Sequence, residues 1–259
     1  MKIAFSFVLL TAAAFGQGSP SFEVVSVKPS DPNSSGNYYS FKHDGASVEN
    51  GTLSGLIEMA YDVRGFQIVG GPGWIETDHY KVTAKISPED EKALPANGPE
   101  RTKQMRLRLQ AVLAERFQLQ IHRETREEPE YALVVGKNGP KMKAGDASLP
   151  QAGISSNCGV MKGTRARMTT LSLVLSRQLQ HPVVDRTNLT GMYDFDMTFA
   201  PESSCGAGQP DNGAPAAEAP LDRPSIFTAI QEQLGLKLES IRGPVELAVI
   251  DRVEKPDPN

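Results

Sequence analysis

The sequence predicts an α+β protein made of two related lobes, in which helices pack on antiparallel sheets. Apolar residues recur at helical spacing in several segments, and segments with period-two alternation, typical of strands, follow them. The order helix, strand, strand recurs along the chain, which indicates a duplicated α-β-β-α-β-β plan. The alternative is a chance likeness between ordinary α+β elements.

The C-terminal stretch shows the plan most clearly. Pro224 suits the first turn of a helix, and Gly235 follows the last apolar residue, where a left-handed cap is expected. Residues 236–239 and 245–250 then alternate, and the turn signal at 242–244 separates them. The stretch therefore predicts a helix followed by an antiparallel hairpin.

The same patterns predict the remaining elements. In the first half we expect a strand at 22–27, a hairpin at 38–48, a helix at 52–61, strands at 66–69 and 80–86, a helix at 100–116, and a hairpin of 119–121 with 131–135 around a charged turn at 124–130. In the second half we expect a helix at 168–179 and strands at 182–184 and 193–199 before the C-terminal stretch. The basic run from Arg101 to Arg126, which includes the exposed face of the helix at 100–116, is interpreted as a salt-bridged surface.

Composition shifts predict the domain boundaries. We expect a signal peptide at 1–16, an N-terminal lobe at 21–143, a linker at 144–155 and a C-terminal lobe at 156–256. Within the second lobe, residues 201–222 have no periodicity and predict a surface loop.

The first residues have the pattern of a secretory leader. Lys2 precedes an apolar run at 3–15, and Ala14-Phe15-Gly16 offers small residues for cleavage before Gln17. No later segment is long and apolar enough to span a bilayer. The sequence thus predicts an exported protein, periplasmic or extracellular, whose mature chain has no transmembrane segment.

Charge and cysteine content restrict the partners. The net charge is −4, and loss of Lys2 with the leader makes the mature chain more negative, which argues against a nucleic-acid partner. The two cysteines, Cys158 and Cys205, most simply form one disulfide in an exported chain. Two free thiols or a weak metal pair are the alternatives.

No catalytic, cofactor-binding or metal-binding signature is found. The chain lacks H-E-x-x-H, G-x-S-x-G, the phosphate-binding loop and the dinucleotide fingerprint. The most site-like cluster is Trp74, Asp78, His79 and Tyr80, which follows a glycine-rich loop and is the candidate ligand or partner surface. A solvated turn before a strand is the simpler interpretation. Asp185, Asp194 and Asp196 could act as paired carboxylates, but the better interpretation is that Asp185 caps a turn and the other two face water.

Several strings of the chain, in order, resemble one family. They are FEVVSVKPSDP, IVGGPGWIETDHY, LAERFQLQIHRETREEPEYALVVGKNGPK, PVVDRTNLTGMYDFDM and PSIFTAIQEQLGLKLESIRGPVELAVIDRVEKP. They resemble the exported soil-bacterial, acidobacterial-type proteins called domain of unknown function 3738. The resemblance implies no known activity or cofactor. Some members look like this module joined to a membrane metallopeptidase sensor, which implies extracytoplasmic sensing or binding.

Three hypotheses follow for the function. The first is a non-enzymatic binding, interaction or sensing module of the cell envelope, which acts on an unknown envelope protein or a small ligand. The second is a secreted hydrolase with an unrecognised site near Asp78 and His79. The third is a structural envelope protein that packs against partners.

Overall fold

The computed structural model describes residues 20–146, 152–200 and 223–257. The strands are β1 (Val24–Pro29), β2 (Tyr38–Lys42), β3 (Gly45–Thr52), β4 (Ile68–Val69), β5 (His79–Lys85), β6 (Gln120–Val135), β7 (Lys143–Ala144), β8 (Gly153–Asn157), β9 (Val160–Ala166), β10 (Val183–Asp185), β11 (Tyr193–Thr198) and β12 (Leu236–Arg252). The helices are α1 (Leu53–Tyr61), α2 (Trp74–Thr77), α3 (Pro88–Ala93), α4 (Pro99–Arg116), α5 (Met168–Leu179) and α6 (Ile226–Ala229). A π-helical turn, Ile230–Leu234, follows α6. The α+β class is confirmed.

The chain forms two compact units that interleave along the sequence. The first contains the described residues up to Val63, then Gly70–Ile121 and those from Ile250 onward. The second contains Arg64–Val69 and the described residues of His122–Val249. Each unit therefore takes residues from both of the ranges predicted as lobes.

In the first unit, one antiparallel sheet carries helices α1 and α4. The strand order is β1-β5-β3-β2. Thr52 caps α1, because its Oγ1 accepts a hydrogen bond from the N–H of Gly55 at 3.2 Å. The sequence assigns Tyr61 to the apolar stripe of α1, but this residue is only partly buried. The buried residues of the stripes in α1 and α4 are Leu53, Leu56, Ile57, Ala60, Met105, Leu109, Val112 and Leu113.

Two arginines of α4 are buried, so the prediction of an exposed basic face is wrong for them. The guanidinium of Arg108 donates to Ser21 O at 3.1 Å and to Asp90 Oδ2 at 2.8 Å. The guanidinium of Arg101 donates to Pro95 O at 2.8 Å. Such bonds compensate for the desolvation of the charge, and periodicity alone does not reveal them.

The second unit contains two sheets. One is antiparallel, with the order β7-β11-β9-β8. The other has the order β10-β6-β12-β4, in which β10 runs parallel to β6 and β4 runs parallel to β12. A buried apolar cluster from α5, α6, β9 and β11, together with parts of β6 and β12, forms the core.

The two hairpins predicted at 119–135 and 236–250 are wrong. Each range lies in one long strand, β6 or β12, although β6 contains Pro129 and β12 contains Gly243-Pro244. A proline fits a strand wherever the ladder needs no N–H from it. These residues therefore act as local turn signals that the sheet overrides.

The two halves of the chain nevertheless follow the same order of elements. Asn50 in β3 and Arg165 in β9 both have positive φ, 51° and 46°, and each lies three residues before the first residue of the next helix. In the ladders, Tyr80 pairs with Gly51 and Tyr193 pairs with Ala166. Tyr80 and Tyr193 thus have a matching register in their ladders, while the duplication itself stays a prediction.

Some predictions lie outside the described residues. These are the leader at 1–16, Cys205, and the whole of the loop at 201–222. Cys158 is exposed in the turn between β8 and β9, with a φ of 42°. The hairpin of β8 and β9 was missed, because its residues are mostly polar and alternate weakly.

Candidate functional site

A glycine loop positions the candidate surface in the first unit. Gly70 and Gly71 have φ values of 83° and 84°, which glycine adopts without strain. A Cβ on Gly71 would lie 3.0 Å from the side chain of Ile75, which is itself buried. The loop therefore turns tightly into α2, where Ile75 anchors the helix and Trp74 lies at its first position.

Lys255 joins the residues that the sequence singled out. Its Nζ lies 2.6 Å from Oδ2 of Asp78 and 5.6 Å from the centroid of the Trp74 ring. The side chains of Lys255 and Asp78 are 58% and 36% exposed, so the ion pair is solvated and contributes little to stability. Contact with the ring adds a cation–π interaction. The sequence gives no local signal for Lys255 as part of this surface, since it lies 177 positions from Asp78.

His79 is exposed, and its hydrogen bonding is set by the backbone. Its Nδ1 lies 2.9 Å from the carbonyl oxygen of Thr77. A carbonyl only accepts, so Nδ1 carries the proton and Nε2 of the neutral ring is left as an acceptor. An Asp–His relay would need the carboxylate on Nδ1. Asp78 instead binds Lys255.

Tyr80 belongs mainly to the core of the first unit. It is 4% exposed, and its ring meets Phe117 edge to face with 5.2 Å between centroids. Burial raises the pKa of the Tyr80 hydroxyl, and the negative charge of Asp78 raises it further. Tyr80 therefore supports the surface from below as a neutral phenol.

These residues border a cleft of about 320 Å³. A volume of this size suits a small molecule or a single inserted side chain. Apolar atoms form much of its wall, and charged groups lie beside them. The lining residues are Val27, Pro29, Asp78, His79, Tyr80, Lys255, Pro256 and Asp257.

Comparison with known proteins identifies the family. A family model described as "Protein of unknown function (DUF3738)" matches residues 54–253, well over half of the 259 residues. The chain belongs to the DUF3738 family. No curated protein and no solved structure matched the DUF3738 chain.

The matched range covers only part of the residues that line the cleft. It includes the whole run from Trp74 to Tyr80 and stops two residues before Lys255. The ion pair at the cleft of this DUF3738 protein thus joins a residue inside the family range to one beyond it.

In the part of the chain that the structure describes, no helix is long and apolar enough to cross a membrane.

The other carboxylates that the sequence singled out have separate roles. Asp185 accepts hydrogen bonds from the N–H and the hydroxyl of Thr187, at 3.0 and 2.7 Å. Asp194 accepts from the backbone N–H groups of Arg165 and Asp146, and these bonds lower the pKa of its carboxyl. Within the described ranges, no three His, Cys, Asp or Glu residues are grouped as metal ligands.

Proposed function

We propose that this DUF3738 protein is a non-enzymatic binding or sensing module of the cell envelope. The cleft beside Asp78 and His79 takes its ligand. The observation that carries the proposal is the ion pair of Asp78 and Lys255, which places two opposite charges in the wall of a partly apolar cleft, with the ammonium held over the ring of Trp74. Apolar walls with a few polar groups are typical of ligand sites.

Several features favour binding over hydrolysis at this cleft. The carboxylate of Asp78 is neutralised by Lys255, and Nδ1 of His79 is bonded to a main-chain carbonyl. Among the described residues that line the cleft, the only hydroxyl is the phenol of Tyr80, whose pKa is raised. Nε2 of His79 can accept a proton, but among the described residues no serine, threonine or cysteine lines the cleft as a nucleophile beside it. This arrangement offers ligand contacts instead.

Export to the envelope is part of the proposal and rests on the sequence. Lys2, the apolar run at 3–15 and the small residues before Gln17 support a cleaved leader. An oxidising compartment would also suit a disulfide between Cys158 and Cys205. Mass spectrometry of the secreted chain, with and without reduction, tests both: it should begin at Gln17 and contain a peptide linked through these cysteines.

We also propose that the chain is an internal duplication whose halves exchange strands. The sheet orders β1-β5-β3-β2 and β7-β11-β9-β8 correspond element by element, which supports this reading. The short strand β4 of the first half pairs with β12 of the second, and β10 pairs with β6. Such an exchange explains why the compact units interleave along the sequence.

Photo-crosslinking from the cleft tests the proposed function. A benzophenone amino acid replaces Glu76, which is exposed on α2, and the mature chain is irradiated in an envelope extract. We expect a discrete adduct that Lys255→Glu weakens severalfold, because this change repels Asp78 and uncovers Trp74. The matched control carries the same group at Leu173, which is 57% exposed on α5.

Two results would contradict the proposal that the cleft is a binding site without catalytic activity. Equal adducts from positions 76 and 173, both insensitive to Lys255→Glu, would show that the cleft is not the binding site. A substrate that the protein turns over, with activity lost in the D78A/H79A double variant, would favour the hydrolase.

A further inference from the structure

One edge of strand β11, in the second unit, has an open stretch of backbone. Strand β7 pairs with it only through Ala144 with Tyr193 and Lys143 with Asp194. In the first unit, the strand at the corresponding place, β1, pairs with β5 over six residues. Among the described residues, β11 therefore has no paired strand over the rest of this edge that is equivalent to β1 on β5.

A side-chain amide occupies part of this edge. Oε1 of Gln233 accepts from the N–H of Thr198 at 3.0 Å, and its Nε2 donates to the carbonyl of Thr198 at 2.8 Å. A primary amide offers the same donor and acceptor as a peptide bond. Gln233 thus makes the two bonds that a neighbouring strand would make.

Asp196 has the free backbone groups between β7 and Gln233. Backbone groups of strand residues point alternately to the two sides, so those of Asp196 and Thr198 point the same way. Among the described residues, no hydrogen bond to either backbone group of Asp196 is present on this side. Unpaired edge groups of this kind are a template for an added strand.

The space beside Asp196 is a groove whose wall holds three lysines and the two aspartates Asp194 and Asp196. It has a volume of about 420 Å³ and is bordered by Lys141, Lys143, Lys162 and Gln233. Lys162 lies 3.8 Å from the carboxylate of Asp196, while Lys143 has no carboxylate within ion-pair distance among the described residues. The carboxylate of Asp194 is already bonded to two N–H groups.

We propose that the β11 edge binds an extended acidic peptide segment of a partner protein. The segment pairs its backbone with Asp196, displaces the Gln233 amide from Thr198, and brings its carboxylates to Lys141, Lys143 and Lys162. Main-chain bonds provide affinity in this mode and the side chains provide specificity. A second copy of this chain would bring the same three lysines against these, which is unfavourable. The site is independent of the cleft at Asp78.

Synthetic peptides on the full mature chain test this proposal. The probe is fluorescein-labelled Val-Glu-Val-Glu-Val, acetylated and amidated, and binding is followed by fluorescence anisotropy. We expect saturable binding that falls at least tenfold when the two glutamates become lysines. The same loss is expected when alternate amides of the probe are N-methylated, since methylation blocks edge pairing and keeps every side chain.

Variants of the edge complete the test. Asp196→Pro removes the open N–H and should weaken binding at least tenfold, because a proline is tolerated where the N–H faces away from the ladder. Asp196→Asn keeps the N–H and should bind at least as well as the wild type. Gln233→Ala should bind severalfold more tightly, since its amide no longer competes. Circular dichroism checks that each variant is folded.

The contrary outcomes are equally specific. Equal affinity for the N-methylated probe, or wild-type affinity in Asp196→Pro, would overturn strand addition at this edge. Tighter binding of the lysine peptide than of the glutamate peptide would overturn the proposal that the partner segment is acidic. If sedimentation velocity showed dimers of the wild type and monomers of Asp196→Pro, the edge would bind a second copy of this chain. That result would overturn the proposal of an acidic partner segment.

Discussion

Lys255 donates a hydrogen bond of 2.6 Å to Asp78, and its ammonium lies over the ring of Trp74. The segment after β12 is thereby attached to the surface that the glycine loop presents. Nearby, the N–H of Glu254 donates to the carbonyl of Phe117 at 2.7 Å. The candidate site thus depends on residues from both ends of the first unit's sequence.

Trp74 reports on this contact directly, because it is the only tryptophan of the chain. Lys255→Ala should shift its fluorescence emission and increase its quenching by acrylamide, since the ammonium no longer covers the ring. The free energy of unfolding should change by less than about 1 kcal/mol, as for other exposed ion pairs. Lys237→Ala removes an exposed pair with Glu239 and is the control. Identical spectra for the two variants would contradict this geometry.

The contact between Tyr80 and Phe117 predicts a large loss of stability in the first unit. Phe117 is fully buried, so Phe117→Ala should lower the free energy of unfolding by about 3–5 kcal/mol. Denaturation followed by Trp74 fluorescence measures this unit. Val24→Ala, at a residue of the same unit that is 56% exposed, should change it by no more than about 0.5 kcal/mol. A loss below about 1 kcal/mol for Phe117→Ala would show that the core is packed differently.

The buried guanidinium of Arg108 predicts a polar contribution to stability. Arg108→Met keeps much of the side-chain volume but removes the bonds to Ser21 O and Asp90. We expect a loss of about 2 kcal/mol, because the change removes hydrogen bonds made by a charged group, and such bonds each contribute more than neutral ones. Lys103→Met, on the exposed face of the same helix, should be nearly neutral in the same denaturation experiment. Similar effects of the two changes would mean that Arg108 is solvated in solution.

The lowered pKa of Asp194 predicts that its carboxylate contributes to the stability of the second unit in a pH-dependent way. The N–H groups of Arg165 and Asp146 hold the pKa of its carboxyl below the usual range. A lowered folded-state pKa stabilises the protein above the unfolded value of about 3.9, and this stability is lost as the pH falls through the folded pKa. The difference in unfolding free energy between wild type and Asp194→Asn should therefore shrink in acid.

Circular dichroism measures this difference, since the second unit has no tryptophan. Asp196→Asn is the control, because its carboxylate accepts no backbone N–H in the described structure. If the difference in unfolding free energy between wild type and Asp194→Asn instead grew as the pH fell, the pKa of Asp194 would not be lowered in the folded protein.

Elements with strong local signals were predictable from the sequence. The helices α1, α4 and α5 lie within one or two residues of their predicted bounds, since each buries one regular apolar stripe. Gly235 has the predicted left-handed conformation, with a φ of 69°. These features depend on neighbouring residues alone.

Features that depend on distant contacts were not predictable. Pro129 and Gly243 suggested turns, yet pairing across the sheet keeps β6 and β12 extended. Arg101 and Arg108 looked like surface residues because each donates to a carbonyl oxygen that is far away in the sequence, that of His43 or that of Ser21. For the site, the run from Trp74 to Tyr80 was found, but nothing near Lys255 indicates that it completes the cleft.

The D78A/H79A double variant, measured for capture and for turnover in parallel, tests the central claim most directly. Capture uses the benzophenone adduct from position 76, and turnover uses chromogenic esters, phosphates, glycosides and peptides. The account predicts that the adduct falls severalfold while any turnover of these substrates matches the wild type. Loss of a wild-type activity with the adduct unchanged would contradict it.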